Sequence, residues 1–170
     1  QRNWIGKSEG AEIRFTLNVP GQPDGKHFVN VFTTRPDTIF GATFLVISPE
    51  VAQKWLDVGW QAGEEIKTYI RESLKREEQD RTAEDREKTG VDTGVMATNP
   101  VNGEQIPVWV ADFVLGHYGT GAVFADAHDE RDFAFAKKYG IHLKATVKPD
   151  DDLLWQQVQA LQVCYTGDGE

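Results

Sequence analysis

No disulfide can close within this chain, because Cys164 is its single cysteine. Disulfide-stapled scaffolds are thereby excluded, and the fold has to stand on an apolar core. Material for one exists: 39% of the 170 residues are apolar, enough for a single compact domain over residues 1–170. Long hydrophobic runs are also missing. No stretch approaches the ~20 apolar residues of a membrane span, and none has the form of a signal peptide, so a reducing, cytoplasmic setting without a membrane partner is expected. Basic residues are scarce, with 18 Lys and Arg against 27 Asp and Glu for a formal charge of −9. Capture of a nucleic-acid duplex through counterion release needs the opposite surplus. A pocket for one single-stranded end is not excluded, since stacking and a few hydrogen bonds suffice there.

The usual nucleophile and phosphate motifs are lacking as well. Ser8, Ser48 and Ser73 lie in no elbow motif, and Cys164 has no marked His partner, so water is the expected nucleophile of any hydrolysis. Gly119-Thr120-Gly121 lacks the Gly-Lys-Ser/Thr ending of a P-loop and reads instead as a tight turn between strands.

What is present is a run of short strands with few helices. Ile13, Phe15, Leu17 and Val19 alternate with polar residues from Glu12 to Val19, and a Pro/Gly-rich turn follows over Pro20 to Gly25. Further strands are expected at His27 to Thr34, Thr43 to Ile47, Gln105 to Ala111, Ala122 to Ala125 and Leu143 to Val147. Helices are expected from Pro49 to Leu56, over about Ala62 to Gln79 as one solvated helix, and from Leu153 to about Val158. The clearest helix runs from Asp129 to Tyr139, with acids in its first turn, Lys137 and Lys138 in its last, and Gly140 as a stop. Arg81 to Gly94, polar and punctuated by glycine, is expected to be loop with some local helix. The class is α+β, with a mixed barrel-like or sandwich core.

Two polar clusters could carry chemistry: Thr33-Thr34-Arg35-Pro36-Asp37-Thr38, and Asp126, His128, Asp129 and Asp132 around a helix start. Both also have structural explanations, as strand and turn residues and as helix-start acids. Hydroxyls and amides beside a loop can polarise a carbonyl and position water, while a first-turn carboxylate can grip an ammonium group. The helix dipole would favour the ionised form of Asp132, an acid not required by the core. A divalent-metal site at the second cluster is the chemical rival, weakened by the scatter of His27, His117 and His142. A module that only binds an RNA end is a third possibility.

The segments TTRPDTIFG (33–41), RTAEDREKTGV (81–91), NPVNGEQIPVWVADFVL (99–115), YGTGAV (118–123) and HDERDFAFAKKYG (128–140) together resemble the editing insertion of bacterial-type leucyl-tRNA synthetases. WIGKSEGAE (4–12) and YTGDG (165–169) resemble its junctions with the synthetase body. The resemblance implies the editing-domain fold of class I aminoacyl-tRNA synthetases, a mixed β-barrel-like core flanked by helices. The expected partners are the 3′ end of tRNA-Leu and the remaining domains of a larger, monomeric synthetase. Neither a cofactor nor a metal is implied. The HIGH and KMSKS motifs of aminoacylation do not occur in the sequence.

By motif, Asp132 resembles the carboxylate that holds the substrate α-amino group, and Asp129 a second acid near it. Thr38 resembles the threonine that excludes leucine. Thr33, Thr34 and Arg35 resemble the loop around the carbonyl, the attacking water and the terminal adenosine. Tyr118, Phe124 and His128 would belong to the substrate-facing wall. The activity implied is hydrolysis of norvaline, isoleucine or methionine esters of tRNA-Leu, needed because one methylene gives a synthetic pocket only ~10 to 200-fold discrimination. One segment departs from the family pattern: Phe124-Ala125-Asp126-Ala127 stands where the family has Met-Ala-Val-Pro and a small residue. Phe124 is expected to narrow the side-chain space, and Asp126 either to add a negative charge near the substrate amine or to face solvent, the second reading being slightly preferred.

Overall fold

The alternation near the start of the chain forms a strand. In a computed structural model, which describes residues 10–20 and 27–166, β1 (Ala11–Asn18) buries Phe15 and Leu17 and leaves Arg14 and Thr16 exposed. It pairs antiparallel with β2 (His27–Thr33), Phe15 lying opposite Val29. Most of the 20–25 turn and of the two junction-like segments lies outside the described residues.

Strands β3 (Phe44–Ile47), β4 (Gly90–Thr98), β5 (Gln105–Ala111) and β6 (Ala122–Ala125) complete a six-stranded sheet in the order β2-β1-β4-β5-β3-β6. β3 and β5 are parallel and the other neighbours antiparallel, so the sheet is mixed. The end strands β2 and β6 approach one another without a hydrogen-bonded ladder. The core is therefore barrel-like in curvature but open, and the open seam lies between β2 and β6.

Helices α1 (Pro49–Asp57) and α2 (Glu64–Leu74) pack on the sheet through the fully buried Ala52 and Ile70. The Ser48 hydroxyl caps α1 by accepting the Val51 N–H at 3.1 Å. The single helix expected over 62–79 is broken: α2 ends at Leu74 and α3 (Glu78–Thr82) begins anew. The break redirects the chain so that Arg81, 2% exposed, donates to the carbonyls of Asp112 and Val114 and pairs with Glu50.

Two further expectations are corrected. The last five residues of the supposed 81–94 loop enter β4, which lies between β1 and β5. Its irregular pattern is absorbed by a bulge between Asp92 and Met96, where Gly94 adopts φ +74°. Thr93, Val95 and Ala97 are buried there, and the Thr93 hydroxyl is satisfied by donating to the Val108 carbonyl at 2.6 Å. Conversely, residues 143–147 form no strand, because the Thr146 and Val147 amides donate to the His128 imidazole rather than to a ladder.

Helix α4 (Glu130–Tyr139) is held by Phe135, whose ring stacks on Phe44 at 5.9 Å and meets Phe113 at 5.5 Å and Tyr139 at 4.8 Å. Asp132, Phe135, Ala136 and Tyr139 recur at the i, i+3, i+4, i+7 spacing of one helix face, and the first three are buried. Gly140, at φ +66°, ends the helix; α5 (Asp152–Gln159) follows.

The turn ahead of β6 depends on Gly121, at φ +71°, where a Cβ would sit 2.8 Å from Val51 and 3.1 Å from the Ser48 hydroxyl. Gly121→Ala combines left-handed strain with a clash against α1. Its expected cost is ~1–3 kcal/mol, read as a lower denaturation midpoint. An unchanged midpoint would mean that the loop relaxes freely.

Candidate functional site

The seam between β2 and β6 opens into a cleft of about 1050 Å³. One wall is the end of β2 and the turn after it, with Thr33, Thr34, Arg35 and Thr38. A second is Tyr118 and Phe124, and the floor is the start of α4 with His128, Asp129 and Asp132. Of the residues singled out in the two polar clusters and the opposite wall, Thr33, Thr34, Arg35, Thr38, Tyr118, Phe124, His128, Asp129 and Asp132 thus meet in one place, whereas Pro36, Asp37 and Asp126 do not line the cleft.

The Thr33–Thr38 turn is built by its own side chains. The Thr33 hydroxyl accepts the Arg35 N–H at 3.0 Å, keeping its own O–H available, and the chain enters a 3-10 helix at Pro36–Gly41. The Thr38 hydroxyl donates to the Arg35 carbonyl at 2.9 Å, and Thr38 is 2% exposed. Arg35 grips Asp37 through two nitrogens, which holds the Asp37 carboxyl below its usual range. Thr34 is exposed and its hydroxyl has no intramolecular partner among the described residues.

Asp129 caps α4: one oxygen accepts the amides of Arg131 and Asp132 at 2.9 and 3.0 Å. Asp132 departs from expectation, since it is a buried residue on the apolar face of α4 and its Oδ1 has no hydrogen-bond partner among the described residues. Burial, followed by the charge of Asp129, pushes its carboxyl well above the usual range; Arg131 opposes this and Asp126 adds to it. Desolvation outweighs the helix dipole because the carboxyl lacks the partner that would repay it. A buried acceptor of this kind, in an open cleft, has room to take a bond from a donor that enters the cleft.

His128 reaches the cleft edge, but its ring serves the fold. Nε2 accepts the Thr146 and Val147 amides at 2.9 and 3.0 Å, so the proton resides on Nδ1 and is donated to the Tyr165 carbonyl at 2.8 Å. Neither nitrogen is left to take a substrate or a metal. Among the described residues no three His, Cys, Asp or Glu side chains are grouped to hold a metal ion. Asp126 does not face solvent as expected: it is 6% exposed, and its Oδ1 accepts the His128 N–H at 2.7 Å, closing the turn into α4.

Tyr118 is 59% exposed and its ring stands edge-on to Phe32 at 6.2 Å, offering an aromatic surface at the cleft mouth. Phe124 is 7% exposed and packs mainly into the core, so it borders the cleft rather than filling it. Sequence reasoning missed the basic residues of the far wall, Arg86, Lys88 and Arg131. Arg86 pairs with the buried Asp112 at 2.6 Å and Lys88 donates to the Ala83 carbonyl at 2.8 Å, so two of them also brace the 82–88 segment. For Arg86 and Lys88 the signal was the cation pattern of the 81–91 segment, which folds against α4 through Lys138 and the Lys88 carbonyl at 3.0 Å, whereas Arg131 lies in the first turn of α4.

Residues 2–170 match the family model described as leucyl-tRNA synthetase, editing domain. The chain is 50% identical to the leucine–tRNA ligase of Rubrobacter xylanophilus, with all of this chain and 20% of that protein aligned. It is 45% identical to the Roseiflexus castenholzii enzyme, over 99% of this chain and 19% of that one. Among solved structures it is similar to the Agrobacterium radiobacter K84 agnB2 LeuRS in a ternary complex with tRNA and LeuAMS, with a TM-score of 0.65 and 30% identity over 91% of this chain and 18% of that one. The chain therefore spans about a fifth of the length of these relatives. With the match running through almost every residue, and the open mixed sheet agreeing with a solved relative, the chain belongs to the leucyl-tRNA synthetase editing-domain family.

Proposed function

We propose that this domain hydrolyses the ester linking a wrong amino acid, norvaline, isoleucine or methionine, to the 3′ end of tRNA-Leu. The observation that carries the reading is the buried Asp132 Oδ1, left without a donor on the floor of a cleft whose opposite wall is rich in hydroxyls. A substrate α-ammonium would supply the missing donor and return Asp132 to its ionised form. That anchor sets the ester carbonyl toward the Thr33–Thr34 turn, where the two threonines have O–H groups available to donate.

Water then adds to the carbonyl carbon, the bond to the ribose oxygen breaks, and that oxygen takes up the proton as the amino acid leaves. Arg35 and the Phe32–Tyr118 edge receive the terminal adenosine, whose face suits aromatic stacking. Thr38 limits the space for the amino-acid side chain, and no metal or cofactor takes part. The cytoplasmic, monomeric synthetase around the domain holds the rest of the tRNA, in keeping with the −9 charge of this piece.

The test is deacylation of Ile-tRNA-Leu by the synthetase that contains this domain, with and without a chelator. Hydrolysis at the same rate in both is expected. Retention of the tRNA without hydrolysis would make the domain a binding module, and loss in chelator restored by zinc or manganese would make it a metallohydrolase.

A further inference from the structure

The basic far wall of the cleft has no place in the steps above. Arg86 is its most firmly set member. Its Nη2 donates to Asp112 Oδ2 at 2.6 Å, an oxygen that also accepts Arg76 Nη1 at 3.0 Å, and its Nη1 reaches the Asp80 carbonyl at 3.4 Å. Asp112 is fixed in turn: it is 1% exposed, its N–H donates to the Tyr69 hydroxyl at 3.2 Å, and its carbonyl accepts Arg81 Nε at 2.7 Å. A guanidinium has five N–H groups, so these bonds orient Arg86 and still leave donors for a ligand. Lys88 uses one of its donors on the Ala83 carbonyl at 2.8 Å. The Arg131 guanidinium is stacked 4.8 Å over the Phe113 ring and donates to no acceptor among the described residues.

The cleft also has more room than one ester uses. Its volume of about 1050 Å³ exceeds the ~300–1,000 Å³ that encloses a drug-sized molecule, and an aminoacyl nucleoside is of that size. The rest of the space suits the strand that carries the ester. An aminoacylated RNA end has one cation, its α-ammonium, and its only anions are phosphodiesters. Carboxylates on the floor suit the first, and guanidinium and ammonium donors on the wall suit the second. Glu84 and Glu130 line the cleft as well, but both are exposed, whereas Arg86 and Lys88 are half-buried and less screened by water and salt.

Resting on the hydrolytic reading above, we propose that Arg86, Lys88 and Arg131 form a phosphate-binding strip for the single-stranded RNA backbone just ahead of the terminal adenosine, with Asp112 a positioning residue that holds the Arg86 guanidinium in the cleft wall. The strip fixes the path of the strand and so the register of the ester over the floor. Being local, it needs no basic surplus over the whole domain.

The experiment measures kcat/KM of the intact synthetase on Ile-tRNA-Leu over ~50 to 200 mM salt. A second substrate carries neutral methylphosphonates in place of the phosphodiesters next to the terminal adenosine. Lys88→Gln and Arg131→Gln leave the buried Asp112 pairs intact; Arg86→Gln, Asp112→Asn and their double variant probe those pairs. At low salt the parent is expected to lose ~10-fold or more on the neutral linkages. Each cation variant should lose roughly threefold or more on the natural substrate and respond less to the neutral one. The slope of log kcat/KM against log salt should flatten by ~0.7 for each contact removed. Asp112→Asn should flatten it as Arg86→Gln does, with the double variant no worse than Arg86→Gln alone. A loss in Asp112→Asn that salt and linkage leave unchanged would make Asp112 purely structural. Equal rates of the parent on both substrates, or parental slopes in Lys88→Gln and Arg131→Gln, would overturn the strip. A parent that retains Ile-tRNA-Leu without hydrolysing it would overturn the hydrolytic reading instead, and the same slopes read on retention would then decide the strip.

Discussion

Asp132→Asn is expected to abolish deacylation of Ile-tRNA-Leu while making the domain more stable at neutral pH. The loss of activity follows from position. With the ammonium anchor gone, the ester carbonyl is no longer held against the threonine turn, and a misplacement of ~1 Å costs ~100-fold in rate. The gain in stability follows from burial, which raises the folded pKa of Asp132 well above the usual carboxylate range. Above about pH 4 the unfolded chain ionises this carboxyl while the fold keeps it protonated, so the burden is absent below about pH 4, grows as pH rises toward the folded pKa and levels off above it. The difference in Tm between variant and parent should therefore be near zero in acid and positive at pH 7 to 8. Deacylation and thermal unfolding measured on the same variant decide the matter. An edited product at the parental rate would remove Asp132 from the mechanism, and a Tm that falls at neutral pH would mean that its carboxylate supports the fold.

That burial was written in the spacing of α4 and was overlooked there. Asp132 stands three residues before Phe135 and seven before Tyr139, on the same stripe, yet acids at a helix start are so commonly solvated that the dipole reading came first. The structure reverses it because Phe135 sits among Phe44, Phe113 and Tyr139 and draws the whole stripe inward. Asp126 was misjudged for a related reason. Its neighbours Ala125 and Ala127 give no periodic signal strong enough to predict that His128 would close the turn over it. The bonds of the His128 ring join residues far apart in sequence, and nothing local announces them.

The sheet divides along the same line. β1, β2, β3, β5 and β6 were legible because each carries its own alternation or β-branched run. β4 was not, since Gly90, Asp92 and Gly94 interrupt it, and its extended form is imposed by β1 and β5 on either side. Residues 143–147 fail in the opposite direction: the composition suits a strand, but their amides are already engaged by His128. The cleft itself lies at the one seam the sheet leaves open, a consequence of strand order that no single segment encodes.

Thr38 offers the sharpest test of specificity, because its two branches have separable roles. Its hydroxyl is committed to the Arg35 carbonyl at 2.9 Å, which fixes χ1 and with it the direction of the methyl group in a residue that lines the cleft. If the methyl excludes leucine, Thr38→Ser and Thr38→Ala both gain hydrolysis of Leu-tRNA-Leu, by ~10-fold or more, whereas Thr38→Val continues to spare it. Stability should follow the other branch. Valine and alanine lose the bond to Arg35, at ~0.5–1.5 kcal/mol, and serine retains it. The two readouts thus rank the variants differently, which a general loosening of the turn could not do. A valine variant that hydrolyses Leu-tRNA-Leu beside a serine variant that spares it would assign the exclusion to the hydroxyl. An alanine variant as selective as the parent would place the discriminating contact elsewhere along the cleft, with Phe124 and Tyr118 the walls to examine next.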